Sequence, residues 1–384
     1  MARYVLPIIV LAQFCCTSVW FAGNAVMEDL LSTYDLPVST LGHLTSAIQF
    51  GFICGTLVFA VLAVADRFSP GRVFLFSAFA AAGLNLSPLL AGNTAVTLLA
   101  GRFFTGFFLA GIYPVGMKIA ADHFDRDLGK SLGFLVGALV LGTAFPHLLR
   151  GFGEVLPWRG VFLLTSAAAT IGGIAIGCLV PDGPYRKQGG SPQFGAFFTV
   201  FRRPGFRRAA YGYFGHMWEL YTFWTFVPLL LMLFATEQAN TPFNVSLLSF
   251  GVIAVGGLAC ILGGYLSERL GVRQVARGAL ALSGICCLLL PLLFFYAPTP
   301  LFIGFLFFWG MVVVMDSPLF STLVAKNADP AVKGTALTIV NCIGFGLTIV
   351  SIQLLTGLLE VIGLVYVFPL LAIGPVLGVL AVRR

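Results

Sequence analysis

The feature that most constrains this chain is a series of long apolar runs separated by short polar breaks. Two of these runs, residues 73–92 and 161–180, reach the length of about 20 residues that a helix needs to cross a bilayer. Of the 384 residues, 59% are hydrophobic and only 10% are charged, whereas a soluble domain carries roughly 25% charged residues. Because lipid cannot satisfy backbone polar groups and a barrel would show short alternating strands, the sequence predicts an all-α membrane protein.

The polar breaks divide the chain into twelve predicted membrane spans, numbered here in chain order. The apolar N-terminus is interpreted as the first span and not as a cleaved signal peptide, because it continues to about Met27 without a clear cleavage pattern. Some connections, such as residues 297–299, are so short that the spans on either side must be antiparallel neighbours. The predicted spans cover residues 5–27, 41–65, 73–92, 96–121, 131–153, 160–180, 208–234, 244–267, 275–296, 300–325, 334–358 and 362–382.

The distribution of basic residues predicts how these spans are oriented. With both termini in the cytoplasm, only Arg102, Arg150 and Arg159 of the 22 lysines and arginines fall outside cytoplasmic loops, tails or helix ends. Cytoplasmic loops are enriched in Lys and Arg, and the opposite orientation would invert this bias. The net charge of +7 therefore reflects membrane topology and does not indicate nucleic acid binding. We expect a multi-pass protein of a bacterial inner (cytoplasmic) membrane.

The longest polar interruption, residues 182–207, divides the chain into two halves. It is basic, rich in glycine and follows the sixth span, so it predicts a cytoplasmic linker. On either side we predict a six-helix bundle, N-terminal at 1–181 and C-terminal at 208–384. Spans 4 and 10, at corresponding positions in the halves, both contain an internal proline, Pro114 and Pro318. Paired breaks in two hydrophobic halves are typical of transporters built from structural repeats.

Both halves carry the same kind of loop motif. The loop after span 8, residues 264–273, reads Gly-Tyr-Leu-Ser-Glu-Arg-Leu-Gly-Val-Arg, and residues 65–72 after span 2 form a looser copy, Ala-Asp-Arg-Phe-Ser-Pro-Gly-Arg. The first resembles the signature loop of the major facilitator superfamily, Gly-x-x-x-Asp/Glu-Arg-x-Gly-x-Arg. Residues 102–106, Arg-Phe-Phe-Thr-Gly, resemble the Arg-x-x-x-Gly element of that superfamily. With the helix count, the linker and the orientation, the resemblance extends over the whole chain.

The resemblance implies two pseudo-symmetric six-helix bundles that move a solute by alternating access, with spans 1, 4, 7 and 10 lining a central cavity. Independently of it, polar residues of span 1 recur at helical spacing and share one face, which must point into protein or into a wet cavity. Interhelical hydrogen bonding is the structural alternative. Arg102 would meet an anionic substrate or tune an acid, or would simply pair with one. The substrate-cavity candidates are Arg102, Gln13, Thr17, Trp20, Asn24, Gln49, Trp224 and Asn341.

Acidic side chains inside spans are costly and mark functional sites by default. Glu219 lies near the middle of span 7 with His216 three residues earlier, and Asp316 lies two residues before Pro318 in span 10. A carboxylate removed from water is costly as an ion, so it can take up and release a proton during transport. We therefore predict proton coupling by Glu219, Asp316 and His216, with Glu219 as the first carrier. The structural alternatives are that Glu219 bonds His216 and that Asp316 accepts backbone donors beside the proline.

The repeated loop motif also predicts a latch on the cytoplasmic side. An acid at a helix end can pair with nearby arginines and with the positive end of another helix, and glycine allows a tight turn. The alternative is a plain basic loop with a tight turn. The residues of this predicted latch are Asp66, Arg67, Arg72, Glu268, Arg269 and Arg273.

These features predict a monomeric secondary active transporter of a small solute, coupled to protons and embedded in lipid. Export of an amphipathic molecule is favoured by the aromatic residues of span 7 and by Gly137–Gly142, which resembles the glycine-rich element of drug/proton antiporters except that Thr143 replaces its proline. An importer of a small anion or sugar, and a non-transporting membrane sensor or scaffold, remain open. We expect no enzyme, cofactor or metal, because no catalytic motif is visible and the eight cysteines show no metal-ligand spacing.

Overall fold

The computed structural model describes residues 4–124, 128–153, 156–186, 200–238, 242–329 and 333–383. Within these ranges all regular secondary structure is helical, which confirms the predicted fold class. Two short 3-10 turns, Ser87–Leu89 and Phe368–Ala372, accompany the α-helices. The α-helices are α1 (Val5–Thr17), α2 (Ala22–Ala25), α3 (Met27–Tyr34), α4 (Thr40–Val61), α5 (Val64–Arg67), α6 (Pro70–Asn85), α7 (Ala95–Leu109), α8 (Tyr113–His123), α9 (Leu128–Gly151), α10 (Trp158–Leu179), α11 (Pro204–Glu237), α12 (Val245–Leu270), α13 (Val272–Tyr296), α14 (Thr299–Met315), α15 (Ser317–Asn327), α16 (Lys333–Ile362), α17 (Leu364–Val367) and α18 (Ile373–Ala381).

The number of membrane spans agrees with the apolar runs of the sequence. The described residues contain eleven helical stretches that are long and apolar enough to cross a membrane, and α1 is an additional, shorter apolar helix. Large apolar side chains such as Ile171, Leu262 and Leu288 are more than half exposed in the protein alone. Exposed apolar side chains of this kind are expected on helices that face lipid.

Several predicted spans are interrupted where the sequence analysis drew single helices, among them spans 1, 4 and 10. The first ends at Thr17 and resumes at Ala22, and the hydroxyl of Ser18 donates to the Cys15 carbonyl, a local bond that competes with helix continuation. Span 4 is interrupted between Leu109 and Tyr113, one residue before Pro114. Span 10 is interrupted in the same way at Asp316, two residues before its proline. Proline has no N–H and clashes with the preceding turn, so each proline is tolerated in the first turn of the helix that follows the interruption.

The chain forms two compact units, Met1–Pro192 and Gln193–Arg384. The predicted linker, residues 182–207, spans this division, and its residues 187–199 lie outside the described ranges. The limits of the linker and of the two bundles therefore stay predictions.

Each unit contains a helix pair that approaches closely at a glycine. In the first unit, a Cβ added at Gly106 of α7 would collide with the carbonyl of Ile48 in α4. In the second, a Cβ added at Gly310 of α14 would collide with the carbonyl of Val252 in α12. Small residues let membrane helices pack at backbone contact. Because both members of the second pair lie 204 residues after their counterparts, this contact repeats the offset between the two span-breaking prolines.

Candidate functional site

Glu219 is the best-defined polar centre of the second unit. It lies near the middle of α11 and is only 1% exposed. Its Oε2 accepts a hydrogen bond from Ser283 Oγ at 2.7 Å, and its Oε1 accepts one from Trp309 Nε1 at 2.6 Å. Cys287 Sγ donates to the same Oε1 at 3.3 Å. The carboxyl group thus joins α11 to α13 and α14 through three donors.

Neighbouring aromatic rings fix the position of the indole donor. The ring of Trp309 lies 4.5 Å from that of Phe223 and 5.7 Å from that of Phe305, measured between centroids, and Phe368 contacts it edge-on at 5.8 Å. Trp309 is fully buried. Packed aromatic side chains have little rotational freedom, so these neighbours hold the Trp309 indole in the orientation in which its N–H donates to Glu219.

A second acidic centre lies at the interruption between α14 and α15. His216 Nδ1 lies 2.8 Å from Asp316 Oδ1, and both side chains are 1% exposed. The Asp316 backbone carbonyl accepts from the Phe320 N–H at 2.8 Å, so the first turn of α15 begins on this residue. The structure therefore brings together two of the three predicted proton-coupling residues. His216 pairs with Asp316, and the alternative in which it bonds Glu219 is not what the structure contains.

Arg102 is buried in the first unit, with 3% of its surface exposed. Its guanidinium donates to the Val19 carbonyl at 3.1 Å, to Asn85 Oδ1 at 3.3 Å and to the Trp20 carbonyl. Both carbonyls lie in the interruption between α1 and α2. The sequence analysis expected an acid or an anionic substrate as the partner of Arg102. Among the described residues its partners are instead neutral oxygen atoms, and it holds the broken first span to α7.

The other predicted cavity residues of the first unit are also buried. Asn24 Nδ2 donates to Thr45 Oγ1 at 2.8 Å, and Thr17 Oγ1 donates to the Gln13 carbonyl at 2.8 Å. The side-chain amides of Gln13 and Gln49 are fully buried and have no hydrogen-bond partner within the described ranges. The predicted polar face of span 1 thus contains both satisfied and unsatisfied groups.

The remaining cavity candidates lie in the second unit. Trp224 is fully buried, and its ring centroid lies 5.3 Å from that of Tyr221. Asn341 of α16 is half-buried, and its Oδ1 accepts from the Tyr213 hydroxyl at 2.9 Å. The ring contact lies within α11, the helix that carries Glu219, and the hydrogen bond joins α11 to α16.

The predicted latch residues form one ion pair among the described residues. Asp66 Oδ1 lies 2.9 Å from Lys118 Nζ of α8, while Arg186 donates to the Asp66 backbone carbonyl at 3.2 Å. Lys118 and Arg186 were not part of the predicted latch. Its remaining members are exposed and have no ion-pair partner in the described part of the chain: Arg67, Arg72, Glu268, Arg269 and Arg273.

A comparison with family models decides the family. The model described as Major Facilitator Superfamily matches residues 9–352. The chain belongs to the Major Facilitator Superfamily. This confirms the resemblance that its loop motifs predicted, and the chain is therefore a multi-pass membrane transporter and not an enzyme.

Other superfamily members show how far the similarity extends. The purine ribonucleoside efflux pump NepI of Escherichia coli O127:H6 is 26% identical over 261 residues, which is 67% of this chain and 64% of that protein. The MFS-type transporter YfhI of Bacillus subtilis is 24% identical over 358 residues, 89% of this chain and 85% of that protein.

Solved structures show the same fold. A bacterial homologue of the human lysosomal transporter Spinster, in an inward-facing and unoccupied conformation, superposes with a TM-score of 0.71 at 16% identity, covering 99% of this chain and 96% of that one. The nucleoside transporter NupG superposes with a TM-score of 0.73 at 15% identity, covering 99% and 98% of the two chains. At these identities the similarity concerns the fold.

Several residues of this superfamily member were missed by sequence reasoning. Ser283 and Cys287 lie four residues apart on one face of span 9, a polar pair that helical spacing alone could have revealed. Trp309 looked like one more apolar residue in an aromatic run. His147, in span 5, is 1% exposed with an unpartnered Nε2 among the described residues, and an inventory of ionisable residues within spans would have included it. In the part of the chain that is described, no three His, Cys, Asp or Glu side chains cluster in a way that could hold a metal ion.

Proposed function

We propose that this chain is a proton-coupled secondary active transporter that exports a small amphipathic solute by alternating access. The observation that carries the proposal is Glu219, a carboxyl group buried in the middle of a membrane helix with three hydrogen-bond donors around it. Ionisable groups at this depth are costly and are kept where they bind an ion or a proton.

The three donors suggest how a proton on Glu219 would act on the fold. As an ion, the carboxylate accepts from Ser283, Cys287 and Trp309 at once. When it is protonated, it has an O–H that needs an acceptor, and the Ser283 hydroxyl can supply one by turning its own O–H away. The Trp309 N–H can only donate. Protonation therefore weakens or rearranges the contacts that join α11 to α13 and α14.

His216 and Asp316 extend this proposal to a second proton site. Glu219 and His216 are three residues apart and lie on the same side of α11, so one helix face reaches both carboxyl groups. A proton on the His216–Asp316 pair changes the net charge of the pair. It would therefore change the strength of the contact between α11 and the interruption that separates α14 from α15. In the proposal, Glu219 is the first proton carrier and Asp316 the second, with His216 as its partner.

The proposed solute and direction rest on the relatives and on Arg102. NepI is named as an efflux pump for purine ribonucleosides, so purine ribonucleosides are the first solutes to test. An anionic solute has less support, because the Arg102 guanidinium already donates to three neutral oxygen atoms of the protein. The charge distribution supports cytoplasmic termini in a bacterial inner membrane, and we propose that the protein acts as a monomer.

The test is substrate-driven proton movement in liposomes. Purified protein is reconstituted with a pH-sensitive dye inside the vesicles, and purine ribonucleosides, sugars and small anions are added in turn. We expect a neutral solute to trigger proton movement that is lost in Glu219→Gln. Glu360→Gln is the matched control, because Glu360 lies near the end of α16 and is exposed.

The outcomes separate the proposal from its rivals. Proton movement that is unchanged in Glu219→Gln would remove Glu219 from the coupling. A response to anions alone would favour the importer of a small anion. If no solute moved protons or accumulated, the non-transporting sensor would become the better account.

A further inference from the structure

Two buried glutamines of the first unit are the least satisfied polar side chains on its predicted cavity face. Gln13 and Gln49 are both 0% exposed. The Nε2 and Oε1 atoms of each lack a hydrogen-bond partner among the described residues. Buried polar groups are nearly always paired, and an unpaired one destabilises the fold. Folding stability therefore does not explain why these two amides are present.

Gln49 lies between two observed contacts on one face of α4. Thr45, Gln49 and Phe52 follow helical spacing, so their side chains share that face. Thr45 accepts the hydrogen bond from Asn24, and the Phe52 ring lies 4.9 Å from the Trp20 ring, measured between centroids. Gln49 is therefore bracketed by an amide–hydroxyl pair on one side and an aromatic pair on the other.

Gln13 lies on α1 against the backbone of α8. A Cβ built on Gly116 would come within 2.5 Å of Gln13 Oε1 and 3.5 Å of the Phe74 ring. The glycine thus leaves room for an amide at this position. Any larger residue at 116 would push the amide aside.

We infer that Gln13 and Gln49 belong to a binding site in the first unit for an uncharged solute that has hydrogen-bond donors and acceptors next to each other. This inference rests on the proposed function and specifies its solute. A carboxamide offers two N–H donors and one oxygen acceptor and carries no charge. It therefore matches a heterocyclic base or a primary amide, which present the complementary pattern along one edge.

The surroundings of the two amides favour a ring-shaped, neutral solute. The Trp20 and Phe52 rings make the surroundings of Gln49 aromatic and apolar, which suits a planar heterocycle. The nearby basic group, Arg102, holds backbone carbonyls and Asn85 and offers no free charge to an anion. An anionic solute at this position would lose its hydration without gaining the positive charge of Arg102 in return.

The inference is tested by equilibrium binding to the purified full-length protein in detergent. The probes are adenosine, cytidine and nicotinamide as neutral heterocycles, and adenosine 5′-monophosphate as an anion that shares its base with adenosine. We expect at least one neutral probe to bind and the anion to bind more weakly. Gln13→Met and Gln49→Met should each weaken that binding by about tenfold, the effect of losing one hydrogen-bonding group.

Matched variants separate binding from folding. Gln274→Met changes an exposed glutamine at the start of α13 and should leave binding unchanged. Gly116→Ala should weaken binding by displacing the Gln13 amide. Since neither buried amide has a hydrogen-bond partner in the described part of the chain, both buried methionine variants should unfold at the same or a higher temperature than the parent. A lower unfolding temperature together with unchanged binding would show that the amides serve the fold and would overturn the inference.

The proton-coupling proposal fails independently of this inference. Binding in detergent needs no gradient, so Glu219→Gln should still bind the neutral probe. If Glu219→Gln moved protons normally while the glutamine variants lost binding, the coupling proposal would be wrong and the binding site would stand. Binding of none of the neutral probes, or equal binding by the parent and both buried glutamine variants, would refute the site.

Discussion

Replacing Arg102 by methionine tests whether this buried cation stabilises the fold or binds the substrate. The guanidinium donates to the Val19 carbonyl, the Trp20 carbonyl and Asn85 Oδ1. In Arg102→Met all three acceptors lose this donor, and each buried group left unsatisfied costs about 1–3 kcal/mol. Burying the guanidinium also costs free energy, because its charge is removed from water. Methionine carries no charge, so the variant avoids this desolvation cost, which offsets part of the loss.

The expected net loss is about 3 kcal/mol of the free energy of unfolding, at the low end of the three costs combined. For a folding unit of this size, each kcal/mol corresponds to roughly 2–4 °C, so we expect the unfolding temperature to fall by about 6–12 °C. Arg102→Lys should recover only part of this, because an ammonium group cannot reproduce the planar fork that contacts three acceptors.

Unfolding of the purified variants in detergent measures this loss, by the temperature dependence of a monodisperse size-exclusion peak. Arg150→Met is the matched control, since it removes an arginine from a partly exposed ion pair with Asp29 at 3.0 Å. Partly exposed pairs contribute at most about 1 kcal/mol, so the control should shift by only a few degrees. If Arg102→Met unfolded at the parental temperature yet lost transport, the stabilising role of Arg102 would be refuted. Arg102 would then again be a candidate substrate ligand.

Two further variants address the second unit. Trp309→Phe removes an indole donor that, unlike the hydroxyl of Ser283, cannot also accept from Glu219. We expect gradient-driven transport to fall while exchange of solute at equal pH persists, and loss of both activities together would indicate damage to the fold instead. Asp316→Asn keeps the size of the side chain but removes the ionisable carboxyl group beside His216. It should abolish gradient-driven transport in the same comparison, and normal transport in this variant would leave Asp316 with only the role of shaping the helix interruption.

The span pattern was predictable because it depends on a strong, local property of the sequence. An apolar run of about 20 residues has few alternatives to a membrane helix. The limits of single helices were less predictable, since the first span is interrupted at Ser18 without a proline or glycine at the break. Arg102 donates to a carbonyl group within that interruption. Because the two residues are more than 80 positions apart in sequence, local sequence patterns could not have predicted this contact.

The positions of the acids were predictable, but their partners were not. Charges within spans identified Glu219 and Asp316, because few ionisable residues occur there. Sequence spacing placed His216 on the same helix face as Glu219 and left a bond between them open as the structural alternative. The structure pairs His216 with Asp316 across helices, and Glu219 takes donors from two other helices. Contacts between helices depend on their rotation and depth, which periodicity along one helix does not determine.

Glu219 of the second unit and the two buried glutamines of the first differ in how completely their hydrogen bonds are satisfied. In the second, the carboxyl group of Glu219 has a donor for each oxygen, so a change of its protonation state must alter existing contacts between helices. In the first, Gln13 and Gln49 have none among the described residues, so a solute can bind them without breaking a bond of the protein. A tightly held group is suited to transmit a change, and an unpaired one is suited to receive a ligand. If the roles are divided in this way, substitution of Glu219 should selectively abolish coupling. Substitution of Gln13 or Gln49 should selectively reduce affinity for the solute.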